Sequence, residues 1–425
     1  MNVEEIKRVI RDQKKDVEYI FSNKKIIERD APQNRLERSL NQPNVLAIVG
    51  VRRCGKSITS HMILKEKEYG YINFDDERLY GAEAKDLNTI LQAFYELYGQ
   101  DIEYFILDEI QNVPGWELFA NRLRQTKKVI LTGSNANLLS GELATHLTGR
   151  YTDFTLYPFS FNEFLRLKEI KPDIYSTKDI AGIKNALSEY IKTGGFPEAH
   201  IFGKDVVSRI FNDIIHKDII SRHEIRNKKS ISDLARYLIT NYTCEFSYNR
   251  LCDVVSIKDI HTIKKYIGYL ESSYLILITE RFSYKLKEQM KAPRKVYCID
   301  TGIINSVALK FAQDTGKLME NLVAIELNRR KSNFNGEIYY WKDHQQREVD
   351  FVLKGEETVN KLIQVSYVSS KDEIQEREIK ALHEASKELK CRDMTIITWD
   401  YEGKIDNVNC IPLWKWLLTV VSKPT

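Results

Sequence analysis

Eight residues constrain this chain more than any others. Gly50-Val51-Arg52-Arg53-Cys54-Gly55-Lys56-Ser57 satisfies GxxxxGK[ST], directly after the apolar run VLAIV (45–49) and directly before SITSHMILKEK, which reads as a helix. A glycine-rich turn between a buried strand and a helix N-terminus turns several backbone N–H groups inward, where they can hold phosphate oxygens. Here the cradle is Gly50 with the backbone from Arg53, Cys54 and Gly55 through Lys56, Ser57 and Ile58. Lys56 neutralises the β- and γ-phosphates, and the Ser57 hydroxyl is a ligand for Mg²⁺.

A second motif supports the first. Tyr104-Phe105-Ile106-Leu107 is an apolar strand ending in Asp108 and Glu109. Asp108 is placed to hold the metal and Glu109 to polarise a water for attack on the γ-phosphate. Further on, KKVILTG ends at Ser134 and Asn135, short polar side chains that reach a phosphate or its attacking water, or cap the next helix. Arg150 follows an expected helix and precedes TDFTLY; an arginine there is a candidate to stabilise charge on the γ-phosphate, in this chain or a neighbouring one, the latter implying a homo-oligomer.

The surroundings fit a doubly covered sheet. Runs at 45–50, 69–74, 103–109, 127–133 and 152–157 alternate with helical stretches, the pattern of βαβ crossovers and a mostly parallel α/β sheet. An amphipathic helix at 3–30 precedes them, and a Gly-Gly-Phe-Pro break at 194–197 interrupts a helical connector. From Asp205 to Arg281 the pattern is helical, followed by two β-like runs (281–286 and 295–299) around a polar loop, the outline of a winged helix. The stretch 281–297 carries six cations against one acid beside Tyr284 and Tyr297, a surface for DNA. The expected domains are an N-terminal helical segment 1–40, a phosphate-binding domain 41–204, a winged-helix-like domain 205–312 and a C-terminal α/β domain 313–425.

Composition excludes several classes. With 43% apolar and 29% charged residues, disorder on a large scale is not expected. The net charge of +4 leaves any nucleic-acid surface local, and no stretch approaches the ~18 apolar residues of a membrane span. The six cysteines form no CxxC pair, which suits reduced thiols in a cytoplasm.

The series GVRRCGKS, YFILDEIQNVPGWE, LTGSNANLL, LTGRYTDFTLYPFSFNEFL and TGGFPEA resembles the prokaryotic AAA-type P-loop ATPases of the AAA_14/DUF4143 family, over about residues 20–415. The resemblance implies ATP as the ligand through Gly50, Gly55, Lys56 and Ser57, with Walker B roles for Asp108 and Glu109. It also implies a C-terminal fold like the PD-(D/E)xK nucleases. That pattern asks for a helical acid, an aspartate on the next strand and E-x-K on the strand after. Here the helix offers Glu320 or Glu326, the strand gives Asp350, and Gln364 and Ser366 stand where the second carboxylate and the lysine belong. An amide is a weak ligand for Mg²⁺ and a serine supplies no charge, so the expected site, Glu326, Asp350, Gln364 and Ser366, is vestigial. The leading expectation is a magnesium-dependent ATPase whose cycle moves its winged-helix and nuclease-like parts, acting on DNA or a protein client. An ATP-switched scaffold without turnover and an ATP-gated nuclease are the alternatives.

Overall fold

The structure is a computed structural model and describes residues 1–31, 33–136, 147, 149–203, 205–309, 314–331 and 336–419. It divides into two units, Met1–Tyr157 with Ser272–Tyr274, and Pro158–Glu271 with Leu275–Thr425. The boundaries expected at 204/205 and 312/313 both fall inside the second unit.

In the first unit, α1 (Val3–Asn23) begins at a capping box formed by Asn2 and Glu5 and buries Ile6, Val9 and Ile10. After α2 (Gln33–Leu40), β1 (Val45–Val49), α3 (Lys56–Ile63), β2 (Tyr69–Asn73), α4 (Asp86–Tyr98), β3 (Tyr104–Asp108), α5 (Trp116–Leu123), β4 (Lys128–Gly133) and β5 (Tyr151–Thr155) follow. The helix expected before Gly149 lies outside the described residues. The five strands form one parallel sheet in the order β2-β3-β4-β1-β5. Every residue of β1 is buried, as a strand covered on both faces requires. Each such Val, Leu or Ile contributes about 1.5–3 kcal/mol by leaving water.

Register decides what this sheet can hold. Val49 pairs with Gly133, and Leu107 with Leu131, so the loops after β1, β3 and β4 leave from one edge. Val45 pairs with Tyr151, which puts the start of β5 at the opposite edge.

The second unit opens with α6 (Phe161–Leu167), α7 (Thr177–Thr193), α8 (Pro197–Phe202) and α9 (Asp205–Asp213), which runs into a π-helical turn, Ile214–Ser221. Then come α10 (Lys228–Thr240), β6 (Glu245–Phe246), α11 (Tyr248–Val254), α12 (Ile260–Ser272), β7 (Ile276–Arg281), α13 (Leu286–Lys291), β8 (Arg294–Cys298) and α14 (Thr301–Val307). The chain ends in α15 (Thr315–Arg329), β9 (Glu337–Lys342), β10 (Glu348–Lys354), β11 (Val359–Ser366), α16 (Glu376–Leu389), β12 (Met394–Thr398), β13 (Gly403–Ile405), β14 (Val408–Pro412) and α17 (Leu413–Leu418). Nine strands make one mixed sheet, β13-β14-β12-β11-β10-β9-β7-β8-β6. Two parallel pairs, Glu280 with Tyr339 and Arg281 with Tyr340, join β7 to β9.

Two local expectations are corrected. Residues 281–286 are not a strand: β7 ends at Arg281, and Leu286–Lys291 forms a helical turn whose LKEQMK sequence has helix formers and no alternation. The β13–β14 hairpin was not expected either. Asp406 and Asn407 turn it with φ of 44° and 67°, the positive angles that Asp and Asn tolerate in a tight hairpin.

The Gly-Gly-Phe-Pro break has a specific cause. The Asp300 carboxylate accepts from the amides of Gly302 and Ile303 at the start of α14 and from Gly195 N–H at 2.6 Å. Gly194 has φ of +75°, and a Cβ there would lie 2.1 Å from Asp300 Oδ1. Burial pushes Asp300 up to about 6. All six cysteines are free thiols, and among the described residues no helix is long and apolar enough to cross a membrane.

Candidate functional site

The edge where β1, β3 and β4 end gathers most of the expected residues. Gly50 has φ of +149°, and a Cβ on it would meet the Leu156 carbonyl oxygen at 2.1 Å; Arg53 and Gly55 also have positive φ. These angles bend the loop so that α3 begins at Lys56. The loop's Cys54 is buried. Ile58 lies in the first turn of α3, half-buried. The Lys56 ammonium is buried and donates to the carbonyls of Gly50 (3.2 Å) and Val51 (3.3 Å), with a Glu109 carboxylate oxygen at 3.5 Å.

Asp108, fully enclosed, accepts from the hydroxyls of Thr132, Ser57 and Tyr71, the last at 3.1 Å. Burial pushes its carboxyl up, the Glu109 charge adds to that, and the Thr132 and Ser57 hydroxyls pull it back. A divalent cation beside it would hold it ionised. The Ser57–Asp108 pair thus offers a hydroxyl and a carboxylate at one point, a donor set that suits Mg²⁺.

Glu109 sits at φ 53°, in the left-handed region, where β3 gives way to a short 3₁₀ turn. Its amide donates to Thr132 Oγ1 at 3.0 Å, and its carboxylate accepts from Gln111. Ser134 and Asn135 are buried at the end of β4 on the same edge.

Arg150 is not part of this group. Its carbonyl accepts from Val45 N–H, at the far edge of the sheet from the loop that follows Val49. Five strand residues at about 3.3 Å each separate the two positions, so the same-chain role is withdrawn. Arg52 is held by Asp75 at 3.2 Å.

The second unit contains a different cluster. Lys295, on β8, is 2% exposed; its ammonium lies 2.9 Å from Glu320 Oε1, 2.6 Å from Glu348 Oε1 and 3.2 Å from Asp350 Oδ1. Tyr297 donates to the same Glu320 oxygen at 2.9 Å. Asp350 Oδ2 accepts from Val365 N–H, and Asp350 N–H donates to Gln364 Oε1. Ser366 hydrogen-bonds Glu378.

Glu326 is elsewhere: its carboxylate is bound by Arg329 at 3.0 Å and Arg330 at 2.6 Å. The helical acid that meets Asp350 is therefore Glu320, six residues earlier on α15, and the expected membership of Glu326 is corrected.

Three carboxylates share one ammonium, and their charges do not settle equally. Burial and the Asp350 charge push Glu320 up to about 7, against the pull of Lys295. Burial works against the Lys295 ammonium too, but Glu320, Asp350 and Glu348 together hold it well above the usual lysine range. Glu348 is held below the usual carboxylate range, since Lys295 and Lys342 outweigh its burial. This set does not fit a catalytic Mg²⁺. The position between the acids is taken by the ammonium, and among the described residues no group of three or more His, Cys, Asp or Glu is arranged to hold a metal.

The basic stretch 281–297 is reduced in the same way. Lys295 is buried in the cluster and Arg294 is bound by Glu280 at 2.9 Å, leaving Arg281, Lys285, Lys287 and Lys291 toward solvent.

Comparison with known proteins divides the chain into three segments. Residues 42–165 match a family model described as an AAA domain, residues 184–314 a domain of unknown function (DUF8612) and residues 315–416 a domain of unknown function (DUF4143). An uncharacterized protein of Methanocaldococcus jannaschii is 34% identical over 429 residues, covering 95% of each chain. The chain belongs to the AAA-type P-loop ATPases that carry a DUF4143 domain. Another relative, an uncharacterized protein of Haemophilus influenzae, is 29% identical over 93% of this chain and 100% of its own. Among solved structures, a Walker-type ATPase of Pyrococcus abyssi has a TM-score of 0.45 at 16% identity, covering 66% of this chain and 96% of that one. Cdc6p of Pyrobaculum aerophilum has a TM-score of 0.27 at 13% identity, covering 72% and 97%.

Within this AAA-type ATPase, the residues that sequence reasoning missed are the supporting ones. Thr132 and Tyr71 hold Asp108, Gln111 holds Glu109, and Arg29 donates to the carbonyls of Cys54 (2.8 Å) and Tyr157 (2.6 Å). Thr132 had a signal within reach, because it directly precedes Gly133-Ser134 at the end of an expected strand. Arg29 and Lys295 carried no signal, lying 25 residues or more from what they touch.

Proposed function

We propose that this AAA-type ATPase binds Mg-ATP at the loop Gly50–Ser57 and hydrolyses it. What carries the reading is the convergence of Lys56, Ser57, Asp108 and Glu109 at one sheet edge, with Ser57 and Asp108 in hydrogen-bond contact and Glu109 in ion-pair reach of Lys56. The loop amides and Lys56 bind the triphosphate, exchanging two backbone carbonyls for phosphate oxygens. Ser57 and Asp108 are the residues that would hold Mg²⁺, which when bound supplies charge neutralisation across the phosphates. Glu109 takes the proton of the attacking water. Ser134 and Asn135 orient that water or the γ-phosphate.

The nucleotide state governs the second unit. There the order α10-β6-α11-α12-β7-β8, with β8 between β6 and β7, supports a winged helix, and the C-terminal fold keeps a nuclease-like arrangement without its chemistry. A protein client and a homo-oligomer belong to this reading as partners.

The test is phosphate release by the purified chain with Mg-ATP. Lys56→Ala is expected to lower it about a hundredfold or more, with the thermal midpoint unchanged. Turnover equal to wild type in that variant would end the proposal. Nucleotide binding by calorimetry without any turnover would leave the switch reading instead.

A further inference from the structure

We propose that the segment Phe282–Pro293, between β7 and β8, is a binding site for a single strand of nucleic acid, with Tyr284 stacking a base and Arg281, Lys287 and Lys291 holding its phosphates. The segment borders a cavity of about 770 Å³, within the range of natural ligand sites. Its apolar floor includes Phe282 and Trp341, both buried. Tyr284 meets Phe282 edge to face, with 5.1 Å between ring centroids and 85° between planes. That contact braces the ring while 69% of the residue stays exposed.

Charge around the cavity is unevenly matched. Among the described residues no ion pair engages Arg281, Lys287 or Lys291. The acids nearby are largely answered, Glu288 by Lys285 at 3.0 Å and Asp343 by Arg347 at 2.6 Å, with Glu388 adding one further carboxylate. A ligand seated here therefore meets surplus positive charge.

The apolar surface selects among polyanions. Tyr284, 69% exposed, lines the cavity together with Lys287 and Lys291. A duplex hides its base faces in the stack and offers mainly phosphates, which have no use for an aromatic ring. A single strand presents phosphates to the lysines and a base face to the tyrosine at the same time. Every base has such a face, so the site reads little sequence. An acidic peptide matches the cations alone.

The experiment is fluorescence anisotropy on the full chain, without nucleotide or Mg²⁺, using a labelled oligothymidylate of about 16 residues. The matching RNA strand, a duplex of the same length and a polyglutamate peptide are run beside it. Because no ATP is present, its outcome is independent of the turnover reading. The DNA strand, the RNA strand or both are expected to bind more tightly than the duplex and the peptide. Tyr284→Ala is expected to weaken strand binding about tenfold, while Tyr284→Phe, which keeps the ring, retains it. Lys287→Ala with Lys291→Ala is expected to reduce the slope of log affinity against log salt by about 0.7 per lysine. Duplex or polyglutamate bound as tightly as the strand, no strand binding, or variants all equal to wild type would each overturn the assignment.

Discussion

Lys56 and Lys295 are both buried lysines within reach of carboxylates, and they are held in opposite ways. Lys56 leans on two backbone carbonyls and lies 3.5 Å from one acid, contacts that an arriving polyphosphate can replace. Lys295 is fixed by three acids within 3.2 Å, contributed by α15 and β10. One ammonium rests partly on neutral carbonyls, the other wholly among charged partners. A lysine among acids is therefore no sign of a working site; what matters is whether its partners can be exchanged.

Removing each lysine's function separates the two roles. Lys295→Met leaves Glu320, Glu348 and Asp350 without a counter-charge and is expected to destabilise the second unit by about 3–5 kcal/mol, read by denaturant melts; adding Glu320→Gln should recover part of the loss. A Lys295→Met protein as stable as wild type would show that the cluster is not a structural ion pair. At the other site the effect belongs in rate. Glu109→Gln is expected to lower turnover about a hundredfold while nucleotide affinity by calorimetry holds within a few-fold. Equal turnover would remove Glu109 as the base.

A smaller effect sharpens the structural side. Gly194→Ala places a methyl against Asp300 Oδ1 and forces an L-residue into positive φ, with an expected loss of about 1–3 kcal/mol in thermal melts. No change would mean that the Gly194–Asp300 contact is relaxed in solution.

The mildest test is pH. Glu320 at about 7 and Asp300 at about 6 lie above their unfolded values, so these two groups bind more protons in the folded chain between pH 5 and 7. The contribution of these two carboxyls to stability then falls as pH rises through that window and levels off above it. Burial holds His61 and His223 down at about 4, which works in the opposite sense across the same window, so the carboxyl contribution is read as a difference between wild type and variant. Glu320→Gln keeps an acceptor for Lys295 and Tyr297 and removes one falling contribution, so its stability should rise more with pH across the window than that of wild type; an identical pH dependence would show that Glu320 does not titrate there.

The first unit was nearly all legible because its signals are local. Five apolar runs became five parallel strands, and GxxxxGKS lies where a strand–loop–helix motif belongs, since each depends only on neighbours in sequence. The cluster around Lys295 was not legible. In RKVYC that lysine looks like any strand residue, and its partners are 25, 53 and 55 positions away. Choosing Glu326 over Glu320 was a matter of helix phase: six residues is about one and two-thirds turns, enough to aim the two acids in different directions. The same-chain role of Arg150 was misplaced for a similar reason, because only strand register shows which end of β5 faces the loop.

Arg29 ties two distant carbonyls to one planar cation, one inside the phosphate-binding loop and one at Tyr157, the last residue before the chain passes out of the first unit. The planar fork of the guanidinium sets the spacing of the two carbonyls, so the backbone at Cys54 and the exit at Tyr157 share one anchor.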